Sequence, residues 1–155
     1  MITLEIPIKP YLKKYLTKKY GEVHHLKNNS VFGGIIIDIL DKQYRKQVID
    51  LDRNSCYKIS VPATIVKDVG FNISFLKLKK LADKIYRLFY NDLETFITLS
   101  IGSDLKFKNE KYNTFNKQNR LKAISQFLEF YNITEEELKL DSVYRTIDRR
   151  LKSDK

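Results

Sequence analysis

An alternation of apolar and polar positions at the start of the chain predicts a β-strand. From Ile2 to Ile8 every second residue is isoleucine or leucine, which is the period of a strand with one buried face. Because Pro7 cannot donate a ladder hydrogen bond, we expect this strand at a sheet edge. Residues 47–51 and 56–61 have strand character on either side of a turn. The three segments together predict a small antiparallel sheet.

Apolar residues at spacings of three and four predict helices between and after these strands. The helices are expected over residues 10–20, 31–44, 63–69 and 74–102. Pro10 suits the first turn of a helix, and Gly21 suits its end. Ser30 can cap the second helix, whose apolar stripe is the centre of the predicted core. The longest helix can break near residues 91–92, where Asn and Asp interrupt the stripe.

The C-terminal segment, residues 121–151, reads as a helix, a tight turn and a helix. Thr134 followed by Glu137 is a capping-box pattern, which marks the start of a helix. Asp141 offers a second cap, so the segment can divide into a short helix and a final helix from Ser142. A plain helical hairpin and a DNA-reading helix-turn-helix share this layout, and the pattern alone does not separate them.

These elements predict an α+β fold that is mostly helical. A small antiparallel sheet of about three strands should pack with helices, followed by a C-terminal helical hairpin or helix-turn-helix. We expect residues 1–102 to form an α+β core domain and residues 103–119 a basic aromatic linker. Residues 120–155 would then form a helix-turn-helix-like subdomain.

The charge of the chain points to polyanionic partners. Lys and Arg number 29 against 19 Asp and Glu, which gives a formal net charge of +10. Such an excess favours nucleic acid first and an anionic membrane surface second. The alternative is a basic surface that only serves solubility. With 43% hydrophobic residues the chain is a globular protein and not a disordered tail.

Cysteine content and the N-terminus predict a cytoplasmic protein. Cys56 is the single cysteine, so a disulfide framework is excluded and a reducing compartment fits. The first residues alternate and contain prolines, which is unlike a secretory signal. The longest apolar run, Ile35 to Ile37, is far too short to cross a bilayer. We therefore expect no membrane partner.

Basic side chains near the C-terminus are the candidate nucleic-acid-binding residues. Guanidinium and ammonium groups on the final helix can contact phosphates or guanine edges, and neighbouring hydroxyls can assist. The candidate set is Ser142, Tyr144, Arg145, Arg149, Arg150, Lys152, Lys106, Lys108, Arg120 and Lys122. Lys106 and Lys108 lie in a segment that interleaves lysines with aromatic rings. Such a segment can hold phosphates and stack bases, or it can be a linker pinned by its rings onto the first domain.

No catalytic motif stands out in the sequence. There is no Walker loop, no G-x-S-x-G elbow, no H-E-x-x-H and no dinucleotide fingerprint. His24 and His25 are adjacent and point different ways, so they make a poor metal clamp, and we interpret them as loop residues. The sequence therefore predicts a protein that is not an enzyme and that uses no metal and no cofactor.

Two stretches resemble small basic proteins of tailed phages and mobile elements. They are LEIPIKPYLKKYLTKKYG near the N-terminus and YNITEEELKLDSVYRTIDRR near the C-terminus. The C-terminal half is also similar to helix-turn-helix regulators in general, whose second helix enters the major groove. The usual glycine of that turn is replaced by Asn132-Ile133, and acidic residues 135–137 lie where a reading helix approaches phosphates. Any reading helix is therefore expected over residues 142–152.

Resemblance and charge together predict a DNA-binding regulatory or accessory protein of a phage or mobile element, located in the host cytoplasm. The alternative is a non-enzymatic virion or assembly protein whose apolar stripes form homo-oligomeric interfaces. RNA binding is a third hypothesis, and it rests on the lysines and rings of residues 106–117.

Overall fold

A computed structural model describes residues 2–27, 29–40, 56–70, 74–105 and 117–153. Within these ranges the chain forms three strands and six helices, so the fold is α+β and mostly helical, as predicted. The elements are β1 (Ile2–Pro7), α1 (Pro10–Tyr20), β2 (Val23–His25), α2 (Val31–Ile37), β3 (Cys56–Val61), α3 (Ala63–Val69), α4 (Phe75–Leu105), α5 (Lys117–Phe130) and α6 (Leu140–Ser153). The strand predicted over residues 47–51 lies outside the described residues.

The three strands form one mixed sheet in the order β1-β3-β2. β1 pairs antiparallel with β3, and Pro7 lies opposite Cys56. This places Pro7 on an edge strand of the described sheet, as predicted. β2 pairs parallel with β3, with Val23 opposite Lys58. The described sheet is therefore mixed and not entirely antiparallel as predicted. The sequence does not predict β2, because a strand of three residues is too short to show an alternation.

His24 and His25 belong to β2 and not to a loop, so the sequence interpretation of this pair is wrong. The His24 side chain is buried, and its ring packs edge-on against Tyr20 at 5.2 Å and Phe32 at 5.0 Å between centroids. Its Nε2 atom has no hydrogen-bond partner in the described ranges. Burial lowers the pKa of His24, and the charges of His25 and Lys27 lower it further.

α1 begins and ends at the residues that the sequence predicts. Pro10 occupies its first turn, and Gly21 follows its last residue with φ of 88°. That backbone conformation favours glycine, and it lets the Gly21 N–H donate to the Thr17 carbonyl at 2.8 Å. The Tyr57 hydroxyl of β3 donates to the Gly21 carbonyl at 2.8 Å. The end of α1 is thereby tied to the central strand.

Tyr11, Tyr15 and Tyr57 of this region are almost fully buried, and the pKa is raised for two of them. Burial raises the pKa of Tyr11 to about 12, with a further contribution from Tyr86. Burial likewise raises the pKa of Tyr57 to about 12, with a further contribution from Tyr20. Both phenols are therefore protonated in the folded protein far above neutral pH.

α2 depends on a close approach of backbone at Gly33. Ser30 caps the helix as predicted, since its Oγ accepts from the Gly33 N–H at 2.9 Å. A Cβ at Gly33 would lie 2.0 Å from the Lys27 carbonyl oxygen and 2.6 Å from Ser30 Oγ, whereas a Cβ at Gly34 would meet nothing within 4 Å. The helix ends at Ile37, and the residues beyond 40 in its predicted extent lie outside the described ranges.

α4 is continuous from Phe75 to Leu105, so the predicted break near residues 91–92 does not occur. Tyr90 and Leu93 are buried on either side of these two residues, so apolar packing continues through the polar interruption. Thr95 Oγ1 also donates to the Asn91 carbonyl at 2.9 Å within the same helix. None of the described helices is long and apolar enough to cross a membrane.

The contacts of the chain cluster into two compact units, Met1–Tyr86 (unit 1) and Arg87–Lys155 (unit 2). Unit 1 contains the sheet with α1, α2, α3 and the first part of α4, and unit 2 contains the rest of α4 with α5 and α6. In unit 2 the Phe127 ring of α5 lies 5.6 Å from that of Phe89 and 5.7 Å from that of Phe96. The first unit therefore ends at Tyr86, whereas the sequence predicts a first domain that ends at residue 102.

Candidate nucleic-acid interface

α6 has one apolar side and one basic side. Val143 and Ile147 have no exposed surface. The exposed side carries four candidate residues at spacings of three, four and three, namely Ser142, Arg145, Arg149 and Lys152. Residues three and four apart on a helix are neighbours on one side of it. These four side chains therefore form a single strip, here named the α6 ridge.

Two glutamates organise the turn before α6. Glu137 Oε2 accepts hydrogen bonds from the Thr134 N–H at 2.9 Å and from the Thr134 hydroxyl at 3.2 Å, which is the reach-back contact of the predicted capping box. No helix begins at Thr134, however, because residues 135–138 form turns, so the short helix predicted before the final helix is wrong. The Glu135 carboxylate accepts from the Leu140 N–H through both oxygens, each at 3.1 Å. α6 consequently begins at Leu140, two residues before the predicted start. With Asp141 in its first turn, the amino end of α6 is acidic.

The cations of the α6 ridge differ in their local partners. Arg145 Nη2 lies 2.9 Å from Asp141 Oδ2, and both side chains are largely exposed, at 74% and 68%. Lys152 Nζ lies 2.7 Å from Asp148 Oδ2. Arg149 donates from Nε to the Arg145 carbonyl at 3.4 Å and forms no ion pair with any residue in the described ranges. Among the described residues, Arg149 therefore has no ion pair that would have to break before it contacts a ligand.

Arg150 points into unit 2 and not to the α6 ridge. Its Nε contacts Glu94 Oε1, and its Nη2 donates to Asn91 Oδ1 at 2.6 Å. Its guanidinium carbon also lies 5.8 Å from the centre of the Tyr90 ring. Arg150 thus fastens α6 to α4, which explains its charge without an external ligand.

Arg120, also a sequence candidate, is 1% exposed. Its Nη1 donates to Asp148 Oδ1 at 2.8 Å, and its guanidinium lies 5.4 Å from the centre of the Tyr144 ring. Lys117 Nζ lies 5.7 Å from the same ring, so the Tyr144 ring is engaged within unit 2. Hydrogen bonds from Lys152 and then from Arg120 lower the pKa of Asp148. Arg120 and Asp148 therefore join α5 to α6.

The remaining candidates have simpler positions. Lys122 is exposed on α5 and forms no ion pair with the part of the chain that the structure describes. Ser142 is exposed, and its carbonyl accepts from Thr146 Oγ1 at 2.9 Å. Lys106 and Lys108 lie outside the described residues, so the predicted aromatic and basic linker stays a prediction over residues 106–116.

Sequence reasoning missed the acidic partners of the ridge. Asp141 and Asp148 lie four residues before Arg145 and Lys152 respectively, which is the spacing of helical ion pairs, so the signal was present in the sequence. The hydrogen bonds between the Glu135 carboxylate and the Leu140 N–H have no such signal in the sequence. The role of Glu135 needs the turn geometry, which the sequence does not show.

No protein-family model matches the chain, and comparisons with curated proteins and with solved structures find no match either. Among the described residues no group of three or more His, Cys, Asp or Glu side chains is placed to hold a metal ion. The functional argument therefore rests on the geometry of α6 and its surroundings.

Proposed function

We propose that the protein binds nucleic acid through the α6 ridge, with DNA preferred over RNA, as a regulatory or accessory factor. The observation that supports this most is the placement of Arg145, Arg149 and Lys152 on one exposed strip, opposite the buried Val143 and Ile147. A formal net charge of +10 favours the approach of a polyanion to such a strip. The origin in a phage or mobile element is part of the same proposal and rests on the resemblance of the two chain ends.

The ridge is proposed to lie along the phosphate backbone and not to insert its amino end into a groove. Reading helices of helix-turn-helix proteins contact base edges with their N-terminal residues. Here the N-terminal turn of α6 is acidic, with Asp141 in it and the Glu135 carboxylate on the Leu140 N–H. Those carboxylates would repel phosphate. The basic side chains lie in the middle and last turns, so contacts to phosphate should exceed contacts to bases.

Two of the three ridge cations would exchange an internal partner for a phosphate. The Arg145–Asp141 pair is exposed, and exposed pairs on a helix stabilise weakly. The free energy lost when this ion pair breaks is therefore small compared with the free energy gained when phosphate contact releases counterions. Arg149 has no such pair in the described ranges, so we propose it as the residue on which affinity depends most.

Fluorescence anisotropy with labelled oligonucleotides tests this proposal. The full chain is titrated into duplex DNA, single-stranded DNA and RNA of one sequence, at low and at moderate salt. We expect duplex DNA to bind more tightly than RNA and binding to weaken steeply with salt. R145A/R149A should weaken duplex binding on the order of tenfold or more, because two phosphate contacts are lost.

A matched control separates loss of the ridge from loss of charge. R87A/K67A also removes two exposed cations from helices, so it lowers net charge by the same amount without touching α6. Equal weakening by both double variants would contradict the proposed ridge. Undetectable binding of the wild-type chain to all three nucleic acids would contradict the function itself.

The alternative, an assembly protein with homo-oligomeric interfaces, is favoured by two exposed apolar side chains of unit 2. Leu99 is 67% exposed and Phe130 is 58% exposed. Single exposed apolar residues are common on monomers, so they support this alternative less strongly than the ridge supports nucleic-acid binding. Multi-angle light scattering of the purified chain discriminates, since a large closed ring without DNA affinity would favour assembly.

A further inference from the structure

Unit 1 contains a cavity of about 320 Å³ bordered by residues of α1, β2 and β3. Its lining comes from the described elements α1, β2 with the residue before it, and β3, and consists of Lys13, Thr17, Glu22, Val23, Cys56 and Lys58. Lys58 lies opposite Val23 in the parallel ladder, and Cys56 is two residues before Lys58. Residues at these positions share one face of a sheet. Lys13 and Thr17 are one turn apart on α1 and so share one side of that helix.

The lining combines charge with hydrogen-bonding groups. Two ammonium groups, Lys13 and Lys58, and the Thr17 hydroxyl border the cavity, against one carboxylate from Glu22. The Lys58 ammonium forms no hydrogen bond or ion pair with the described part of the chain, although Glu5 lies opposite it in the antiparallel ladder. Because the Lys58 ammonium borders the cavity without a direct ion pair, it can contact an anionic ligand there.

We propose that this cavity binds a small phosphomonoester, with Lys58 and Lys13 contacting phosphoryl oxygens and Thr17 donating a hydrogen bond to a third. The two lysines present point charges and not the planar fork with which arginine recognises a carboxylate. A phosphomonoester carries close to two negative charges near neutral pH, which matches two ammonium groups. The cavity volume, at the lower end of the range for small-molecule sites, fits a short carbon skeleton beside the phosphate.

The cavity belongs to unit 1, whereas the α6 ridge belongs to unit 2. The ridge is an exposed strip on a helix and suits an extended polyanion, while a concave site of this volume suits a small ligand. The inference is thus independent of nucleic-acid binding, and each can fail without the other.

Nuclear magnetic resonance on the full chain tests it. The ¹⁵N-labelled protein is titrated with glycerol 3-phosphate, inorganic phosphate and sodium chloride at matched ionic strength. We expect saturable shifts of the Thr17, Val23 and Lys58 amide signals with glycerol 3-phosphate, smaller ones with inorganic phosphate and none with chloride. Absence of saturable shifts at these amides with either phosphate would overturn the proposal.

Three variants sharpen the titration. K58Q should weaken the affinity for glycerol 3-phosphate about tenfold, because one phosphoryl contact is lost. E22Q should strengthen it a few-fold, because a carboxylate no longer repels the ligand. K67Q removes an exposed lysine that does not line the cavity, and it should leave the affinity unchanged. Equal affinities of wild type and K58Q, with both folded by circular dichroism, would overturn the proposal.

The single cysteine gives a second readout. Cys56 is buried in the cavity lining, so an occupied cavity should slow its alkylation by the neutral reagent N-ethylmaleimide, as measured by intact mass. We expect glycerol 3-phosphate to protect Cys56 in wild type and in K67Q, and to protect it less in K58Q at the same ligand concentration. A short single-stranded oligonucleotide that protects Cys56 equally well would show that the phosphate comes from nucleic acid, and it would overturn the assignment to a small ester.

Discussion

Two buried polar side chains differ in how the fold satisfies them. His24 is surrounded by aromatic rings, and its Nε2 has no hydrogen-bond partner in the described ranges. Arg120 is more deeply buried than His24 but donates to Asp148 at 2.8 Å. The first arrangement favours the neutral form of the ring, since burial disfavours its charged form. The second holds a permanent charge in place through its counterion.

Acidification should destabilise the protein through His24. Its pKa is lowered in the folded state, so between that value and the unfolded value of about 6.5 the unfolded chain binds more protons. The contribution to stability is complete above about pH 6.5 and falls below it, by at most about 1.4 kcal/mol per pH unit. Urea unfolding of wild type and H24F from pH 8 to pH 5.5 measures this.

The exposed neighbour serves as the control for that series. H25Q removes a histidine from the same strand, but one whose side chain is exposed. Because H25Q also removes one of the charges that lower the pKa of His24, it should keep most of the pH dependence of wild type, while H24F should be flatter than both. A wild-type curve as flat as that of H24F would contradict a protonation cost at the aromatic cluster.

Removal of the Asp148 carboxylate alone should destabilise the protein more than removal of both Arg120 and Asp148 charges. D148N leaves the Arg120 guanidinium buried without a carboxylate, and unpaired buried charges are strongly destabilising. R120M/D148N removes the charge and retains an apolar side chain of similar length. We expect the urea midpoint to fall most in D148N and to recover in the double variant. An unchanged midpoint in D148N would show that the pair contributes nothing to the packing of α5 on α6.

At the scale of elements, the start of α6 depends on Glu135. Its carboxylate receives the Leu140 N–H at 3.1 Å through both oxygens, and so acts as an N-terminal cap. E135A should lower the free energy of unfolding by about 0.5–2 kcal/mol, the usual cost of a lost cap. E136A, at the adjacent exposed glutamate, should change it by much less. Urea denaturation compares the two, and equal losses would argue against the cap.

The two adjacent glycines of α2 offer a matched pair of a different kind. G33A forces a Cβ to 2.0 Å from the Lys27 carbonyl, so it should destabilise by about 1–3 kcal/mol through overpacking. G34A has open space around its Cβ and should be neutral or stabilise by up to about 1 kcal/mol, because alanine favours helix. Thermal unfolding of both variants tests this difference. Equal changes in the stability of G33A and G34A would contradict the close approach at Gly33.

The periodicity of apolar residues was enough to predict the long helices and the first strand, but it failed to predict the short strand β2. The stripes of α1 and α4 and the alternation of β1 gave correct elements, because each repeats over several residues. β2 has three residues, so its pairing with β3 is a property of the tertiary fold and left no local signal. The same limit applies to the candidate site. Spacing placed Arg145 and Arg149 on one side of a helix, but it could not show that Arg150 turns inward to Glu94.

At the scale of the whole molecule, the positive charge should make the affinity for duplex DNA depend on salt concentration. For duplex DNA, the slope of log affinity against log salt changes by about 0.9 for each phosphate contact. R145A/R149A should therefore reduce the magnitude of that slope by about 1.8. R87A/K67A should leave it nearly unchanged, because long-range attraction alone does not release counterions. A slope that stays the same in R145A/R149A would place the phosphate contacts elsewhere on the chain.

The ultraviolet absorbance of the buried tyrosines of unit 1 can be used to follow the unfolding of this protein at high pH. The chain has 10 tyrosines and no tryptophan, so ultraviolet absorbance of phenolate is free of indole background. Accessible tyrosines should ionise near pH 10, but Tyr11 and Tyr57, with pKa values raised to about 12, should ionise last. Because the unfolded chain loses those protons more readily, the stability they confer is lost as pH rises above about 10. A late second step in a spectrophotometric titration would then mark the opening of the sheet.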